Sequence, residues 1–101
     1  MCRRDPPLTW DSFGRALMTR QCTPCHSSLL PADQREGAPP TINFDTYQDV
    51  LDHADRIAAT AVPDDGTMPP GGGPSAEERA MLDEWLRCEV AADRATLGMA
   101  P

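Results

Sequence analysis

The sequence contains no lysine, and its nine basic residues, all arginine, face sixteen acidic residues, for a net charge of −7. Nucleic acids and anionic membrane surfaces attract proteins with surplus cations, so this balance argues against both kinds of partner. No apolar run approaches the roughly 18 residues of a membrane-spanning helix, so the sequence predicts no transmembrane segment. These absences favour an acidic domain that binds neither nucleic acid nor an anionic membrane surface.

Aromatic residues are also scarce. The 101 residues include only five of them, against eleven prolines and seven glycines: Trp10, Phe13, Phe44, Tyr47 and Trp85. A chain of this length buries only about 60–65% of the surface that its unfolded form exposes. We therefore expect one small domain whose core is completed by a disulfide, a metal or a prosthetic group.

Three segments repeat apolar residues with a helical period and are predicted helices: 10–21, 46–61 and 76–92. Each follows a capping signal: Thr9, Asp45 with Gln48, and Ser75 with Glu78. The segments 27–43 and 62–74 are rich in proline and glycine and are predicted loops. No alternating β-branched run predicts a strand. The expected architecture is all-α, with an irregular arm (1–8), one domain (9–94) and a frayed tail (95–101).

Residues 22–26 read Cys-Thr-Pro-Cys-His, the C-x-x-C-H pattern of covalent haem c attachment. Positions i, i+3 and i+4 of one helical turn share a face, so both sulfurs and the imidazole point the same way. Cys22 and Cys25 can then add to the two vinyl groups of one haem while His26 reaches its iron. We expect a single haem c at this motif.

Other interpretations of the motif remain open. Half a zinc site would need a second pair of ligands, and only Cys2, His53 and Cys88 are left, singly and far apart. A thioredoxin-like redox pair belongs in a βαβ context, which the sequence does not show. A chance match is the third alternative.

A second axial ligand is expected from one of five methionines or from His53. We expect Met18 and Met81 in the core because they lie on helical apolar stripes, and His53 at the solvated surface. Met1 and Met99 are terminal. Met68 is the favoured ligand, because two prolines follow it in a loop and stiffen the backbone there. The alternative is an unligated loop methionine.

With C-x-x-C-H, a later Met-Pro-Pro at 68–70, and Leu82 three residues before Trp85, the chain resembles small bacterial class I c-type cytochromes. The resemblance covers roughly residues 9–92. It implies a cytochrome c-like fold, with three to four short helices and long loops around one covalently bound haem. It also implies an electron carrier rather than an enzyme, with His26 and Met68 as the iron ligands.

The same resemblance implies two details of packing. The first and last helices should cross closely at Gly14, where a missing side chain permits backbone approach. A carbonyl of Pro39 or Pro40 should accept the Nδ1–H of His26. The sequence departs from the family at Met18, where an aromatic residue is usual.

Two cysteines remain. Haem c is attached outside the bacterial inner membrane, where disulfides persist, so a Cys2–Cys88 bridge is expected. Such a bridge would contribute about 4–5 kcal/mol if it acts through chain entropy. The alternative is a lipid anchor on Cys2, with Cys88 as a buried thiol. Because haem c proteins are exported, we expect the given chain to be mature or trimmed.

The function expected from these observations is that of a periplasmic one-electron carrier, monomeric, docking on redox proteins with basic surfaces. The alternatives are a haem-based sensor or peroxidase-like domain with an open or weakly held sixth site, and the cytochrome domain of a larger oxidoreductase. Arg56, Arg79 and Arg87 are interpreted as solvated surface residues.

Overall fold

The computed structural model of the chain describes residues 2–24, 26–35, 37–38, 41–63, 68 and 73–99. Every regular element in these ranges is helical, which confirms the all-α class. The elements are a π-helical turn Trp10–Gly14, helix α1 Arg15–Gln21, a 3-10 turn Ala32–Gln34, helix α2 Tyr47–Thr60, helix α3 Ala76–Trp85, a π-helical turn Leu86–Val90 and helix α4 Ala91–Thr96. Within the described ranges, no helix is long and apolar enough to cross a membrane.

Capping boxes begin all three helical segments. Thr9 and Ser75 cap as predicted, with Ser12 and Glu78 as their reciprocal partners. The prediction of Asp45 as the cap of α2 is wrong, because Thr46 takes that position with Asp49. The Asp45 carboxylate accepts hydrogen bonds from Ser27 and Ser28 instead, and it is therefore engaged elsewhere.

The last helical segment is longer than predicted. It continues past residue 92 to Thr96, so the predicted frayed tail from residue 95 is wrong at its start. Alanines at 91, 92 and 95 favour the added turns. The helix ends where Gly98 adopts a positive φ of 72° and donates its N–H to the Ala95 carbonyl.

The core lies between the first and last helical segments and α2. Trp85 at its centre has no exposed surface. A Cβ atom built on Gly14 would overlap the Trp85 indole, so the predicted close crossing at Gly14 is confirmed. Met18 is buried in this core, as expected, and Met81 is half-buried. Other buried members are Leu17, Ile42, Phe44, Val50, Leu51, Ala54, Ile57, Ala61, Leu82, Leu86 and Val90.

The irregular N-terminal arm is attached to the last helical segment at two points. Cys2 and Cys88 form the predicted disulfide, with their Cα atoms 5.6 Å apart. Arg4 binds Glu84 through two hydrogen bonds of 2.7 and 3.0 Å. Because the disulfide uses the Cys2 sulfur, the alternative of a lipid anchor at Cys2 is not supported.

Candidate functional site

The C-x-x-C-H motif begins where α1 ends. Cys22 is the C-cap of α1, and its N–H donates to the Met18 carbonyl. The His26 N–H donates to the Cys22 carbonyl at 2.8 Å, so one more helical turn joins these two residues. Both side chains are half-buried, and Cys25 lies outside the described residues. The turn supports the expectation that Cys22 and His26 share a face.

The loop segment 42–44 fixes the His26 ring. His26 Nδ1 lies 2.9 Å from the Ile42 carbonyl oxygen, and the Phe44 N–H donates to the His26 carbonyl at 2.8 Å. The Phe44 ring meets the imidazole edge-on, with centroids 5.2 Å apart. Because a carbonyl can only accept, Nδ1 carries the proton in this bond, and in the neutral imidazole Nε2 is then the nitrogen with the lone pair. This is the tautomer that an Nε2 metal ligand requires.

The identity of this acceptor corrects the sequence prediction. The expected acceptors, Pro39 and Pro40, lie outside the described residues. The carbonyl found at Nδ1 belongs to Ile42, two residues beyond Pro40. The bond forms there because the chain at 42–44 runs alongside His26, as the Phe44 N–H bond shows.

Arg35 is a buried residue of this region that the sequence reasoning missed. Its side chain is almost fully enclosed, with 4% of the residue exposed. It donates to the Ser27 carbonyl at 2.6 Å, to Asn43 Oδ1 at 2.8 Å and to the Ile42 carbonyl at 2.9 Å. The one available signal was that Arg35 is the sole basic residue of the predicted loop 27–43.

Asp45 joins the two ends of the same loop. Its carboxylate accepts from Ser27 Oγ at 2.6 Å and from the Ser28 N–H at 2.8 Å. Burial alone would raise the pKa of Asp45, but these hydrogen bonds and the charge of Arg35 outweigh burial and lower it. Asp45 is therefore a stable anion that holds residues 27–28 beside His26.

Met68 belongs to the second predicted loop, 62–74. Its N–H donates to the Thr60 carbonyl at 3.0 Å, and 37% of the residue is exposed. Pro69 and Pro70, which suggested its role, lie outside the described residues.

Arg79 binds this loop from α3. It is 5% exposed, so its interpretation as a solvated residue is wrong, whereas Arg56 and Arg87 are exposed as predicted. Arg79 Nη1 donates to the Ala61 carbonyl at 2.5 Å, with longer contacts to the carbonyls of Pro63 (3.3 Å) and Met68 (3.4 Å). A buried guanidinium needs such acceptors, and here they come from the backbone that leads to Met68.

His53 is not the solvated residue that was predicted. It is half-buried, its ring meets Phe44 edge-on at 5.8 Å, and its φ and ψ of −119° and 20° kink α2. Phe44 thus contacts both histidines of the chain. In the described ranges, His53 forms no hydrogen bond with the predicted iron ligands His26 and Met68.

The described residues offer the types of donor that a haem c uses. The motif offers a thiol and an imidazole on one turn, with Nε2 available, and the Met68 loop offers a thioether. Zinc fits less well, because the Cys2–Cys88 disulfide uses two of the three side chains that could have supplied the second pair of ligands. Among the described residues, no three His, Cys, Asp or Glu side chains form a candidate metal cluster.

Comparisons of the chain with protein-family models, with curated proteins and with solved structures found no match. The residues of the site therefore carry the functional assignment by themselves.

Proposed function

We propose that this chain is a periplasmic electron carrier with one haem c, attached through Cys22 and Cys25 and ligated by His26 and Met68. The observation that carries the proposal is the state of His26. It belongs to a C-x-x-C-H motif, and its Nδ1–H is donated to the Ile42 carbonyl at 2.9 Å. The nitrogen that a haem iron would use, Nε2, is thereby left available.

The surrounding residues would hold that imidazole in one orientation. The Ile42 carbonyl fixes the tautomer, the Phe44 N–H binds the His26 backbone, and the Phe44 ring packs against the imidazole. A ligand fixed in this way needs no rearrangement when the charge at the metal changes. Small rearrangement is what a one-electron carrier requires of its protein.

Met68 is the second axial ligand in this proposal. The bound haem would supply cycling between ferric and ferrous iron, and a neutral thioether raises the potential relative to a second histidine. Arg79 and Thr60 hold the Met68 backbone. With His26 and Met68 both holding the iron, no ligand position would be left for a substrate, which favours a carrier over an enzyme.

The charge and the cysteines support the proposed setting. A net charge of −7 would steer the chain toward redox partners with basic docking surfaces. The Cys2–Cys88 disulfide is the kind of bond that persists in an oxidising compartment such as the periplasm.

Export of the chain with a c-type haem maturation system tests the proposal, with Met68→Ala as the matched variant. Both proteins should carry one haem that resists acidic acetone. Only the wild type should show the near-infrared charge-transfer band typical of methionine bound to ferric haem. A colourless product, or one whose colour is extracted by acidic acetone, would refute covalent attachment.

A haem-based sensor or peroxidase-like domain is the second candidate, and the few contacts that hold Met68 favour it. Among the described residues, its backbone is held by the N–H bond to Thr60 at 3.0 Å and by a 3.4 Å contact from Arg79. Rapid binding of carbon monoxide to the ferrous wild type, with no near-infrared band in the ferric form, would select this function.

A further inference from the structure

We infer that Arg35 is a positioning residue that tunes His26, because its guanidinium and the His26 imidazole donate to the same oxygen, the Ile42 carbonyl. The inference rests on the proposed function, in which His26 binds the haem iron. The Arg35 guanidinium would then set how strongly His26 donates electrons to the metal.

The two donors meet the oxygen at equal distances. Arg35 Nη2 and His26 Nδ1 each lie 2.9 Å from it. A carbonyl oxygen has two lone pairs and can accept both bonds. The bond from the guanidinium is charge-assisted and the stronger of the two, so it draws electron density from the oxygen. Ile42 is left as a weaker acceptor for the His26 Nδ1–H.

A weaker acceptor changes the character of the ligand. When the partner of a ligating imidazole withdraws its Nδ1 proton, the basicity of the imidazole rises and it stabilises the more highly charged metal. Arg35 has the reverse effect, because it competes for the acceptor. His26 then remains a neutral, moderately basic ligand, which favours ferrous iron.

The position of Arg35 makes the effect a fixed property of the fold. The side chain is 4% exposed and is also bound to the Ser27 carbonyl and Asn43 Oδ1, so the guanidinium is fixed in place. Hydrogen bonds and charges act more strongly in such an interior than in water. Arg35 should therefore raise the reduction potential through the shared carbonyl, and its positive charge acts in the same direction.

The test uses the haem-loaded protein with Arg35→Gln and Arg35→Lys, and with Arg56→Gln as the charge control. Arg56 is exposed, so its replacement removes an equal charge at the surface. The readouts are the midpoint potential and the NMR resonance of the His26 Nδ1 proton. Arg35→Gln should lower the potential and move the proton resonance downfield. Arg35→Lys, which keeps the charge, should lower the potential less, and Arg56→Gln should change neither readout appreciably.

The inference would be overturned if the His26 Nδ1 proton of Arg35→Gln resonated at its wild-type position. It would also be overturned if Arg35→Gln and Arg56→Gln shifted the midpoint potential by the same amount. If the variants do not fold, the isotope-labelled wild type decides. Scalar couplings across the hydrogen bonds should connect both His26 Nδ1 and Arg35 Nη2 to the Ile42 carbonyl carbon, and absence of either coupling overturns the inference. A wild type without haem would refute the proposed function, while the same couplings in that protein would still decide the shared carbonyl.

Discussion

Arg35 beside His26 and Arg79 beside Met68 are both buried, and each binds main-chain carbonyls of a loop. We call these two regions the His26 side and the Met68 side, and they differ in the number and length of the hydrogen bonds that hold their loops. Arg35 makes three bonds of 2.6–2.9 Å and a longer one of 3.3 Å to the Ala38 carbonyl, and Asp45 adds three more hydrogen bonds in the same region. Arg79 makes one short bond to Ala61 and reaches Met68 only at 3.4 Å.

This difference matches the hydrogen bonds of the two predicted ligands. His26 is bound through its ring and its backbone, whereas Met68 is bound, among the described residues, only through its backbone, by its N–H to Thr60 and by the long contact from Arg79. The comparison teaches that the His26 side is built as a fixed support. The Met68 side should yield first when the protein is perturbed.

The largest effect is expected from Arg35→Met. It removes three short bonds to a charged donor, each worth about 1.5–3 kcal/mol, and part of this loss is offset because no charge need be buried. The free energy of unfolding, measured in urea, should fall by about 3–4 kcal/mol. Arg35→Lys is the control and should lose less. A smaller loss than that of Arg79→Met would reverse the ranking of the two sides.

Arg79→Met should be milder in stability and more selective in its effect on the site. One short and two long bonds are lost, so we expect about 2 kcal/mol less stability. Covalent haem should be retained while the near-infrared methionine band weakens or disappears. Arg79→Lys, which keeps a donor for Ala61, should preserve more of the band. Full retention of the band in Arg79→Met would show that Arg79 does not position Met68.

Asp45→Asn tests the His26 side, because its effect on stability should depend on pH. The pKa of Asp45 is lowered in the folded protein, so the carboxylate stabilises the fold above its unfolded pKa, near the ordinary 3.8, and this contribution is lost as pH falls through the folded value. At pH 7 the variant should be about 1–2 kcal/mol less stable, from weakened bonds to a charged acceptor.

The difference from wild type should shrink below about pH 4, where the wild-type carboxylate takes up its proton. Thermal melts across pH 2–7 check this, with the exposed Asp33→Asn as the control. A gap between wild type and Asp45→Asn that stays constant with pH would contradict an ionised role for Asp45.

The sequence predicted the helices well because their signals are local. Apolar periodicity located all three segments, and the capping residues Thr9 and Ser75 fixed two of their starts. Asp45 failed as a cap because its carboxylate binds Ser27 and Ser28, which lie on another element. No local pattern distinguishes those two uses of an aspartate.

The support of the site was the least predictable part. The motif pointed to His26, but not to Ile42 as its acceptor, since any carbonyl of the returning loop has the same chemistry. The burial of Arg35 and Arg79 was also invisible, because an isolated arginine in a polar loop or on a helix is ordinarily solvated. Both become evident only when the backbone carbonyls around them are located in space.

The smallest effects should come from the helix caps. These variants test whether the two sides differ in stability because of their buried arginines or because of the helices that follow their loops. Thr46 caps α2 after the loop 27–43 on the His26 side, and Ser75 caps α3 after the loop 62–74 on the Met68 side. Each cap side chain accepts from the N–H of the third helical residue, at 3.2 Å for Thr46 and 3.1 Å for Ser75, and each cap donates its own N–H to the carboxylate of that residue. Thr46→Ala and Ser75→Ala should therefore cost about 1 kcal/mol each.

Equal losses in chemical denaturation would leave the buried arginines as the source of the asymmetry. Ser75 also donates its backbone N–H to Glu78, a bond that lowers the pKa of that carboxyl, and Glu78 binds Arg20 of α1 at 3.2 Å. Alanine at 75 keeps this N–H, so a loss clearly larger than that of Thr46→Ala would mean that the Ser75 hydroxyl holds the helix start that presents Glu78 to Arg20. The Met68 side would then depend on its helix start as well as on Arg79.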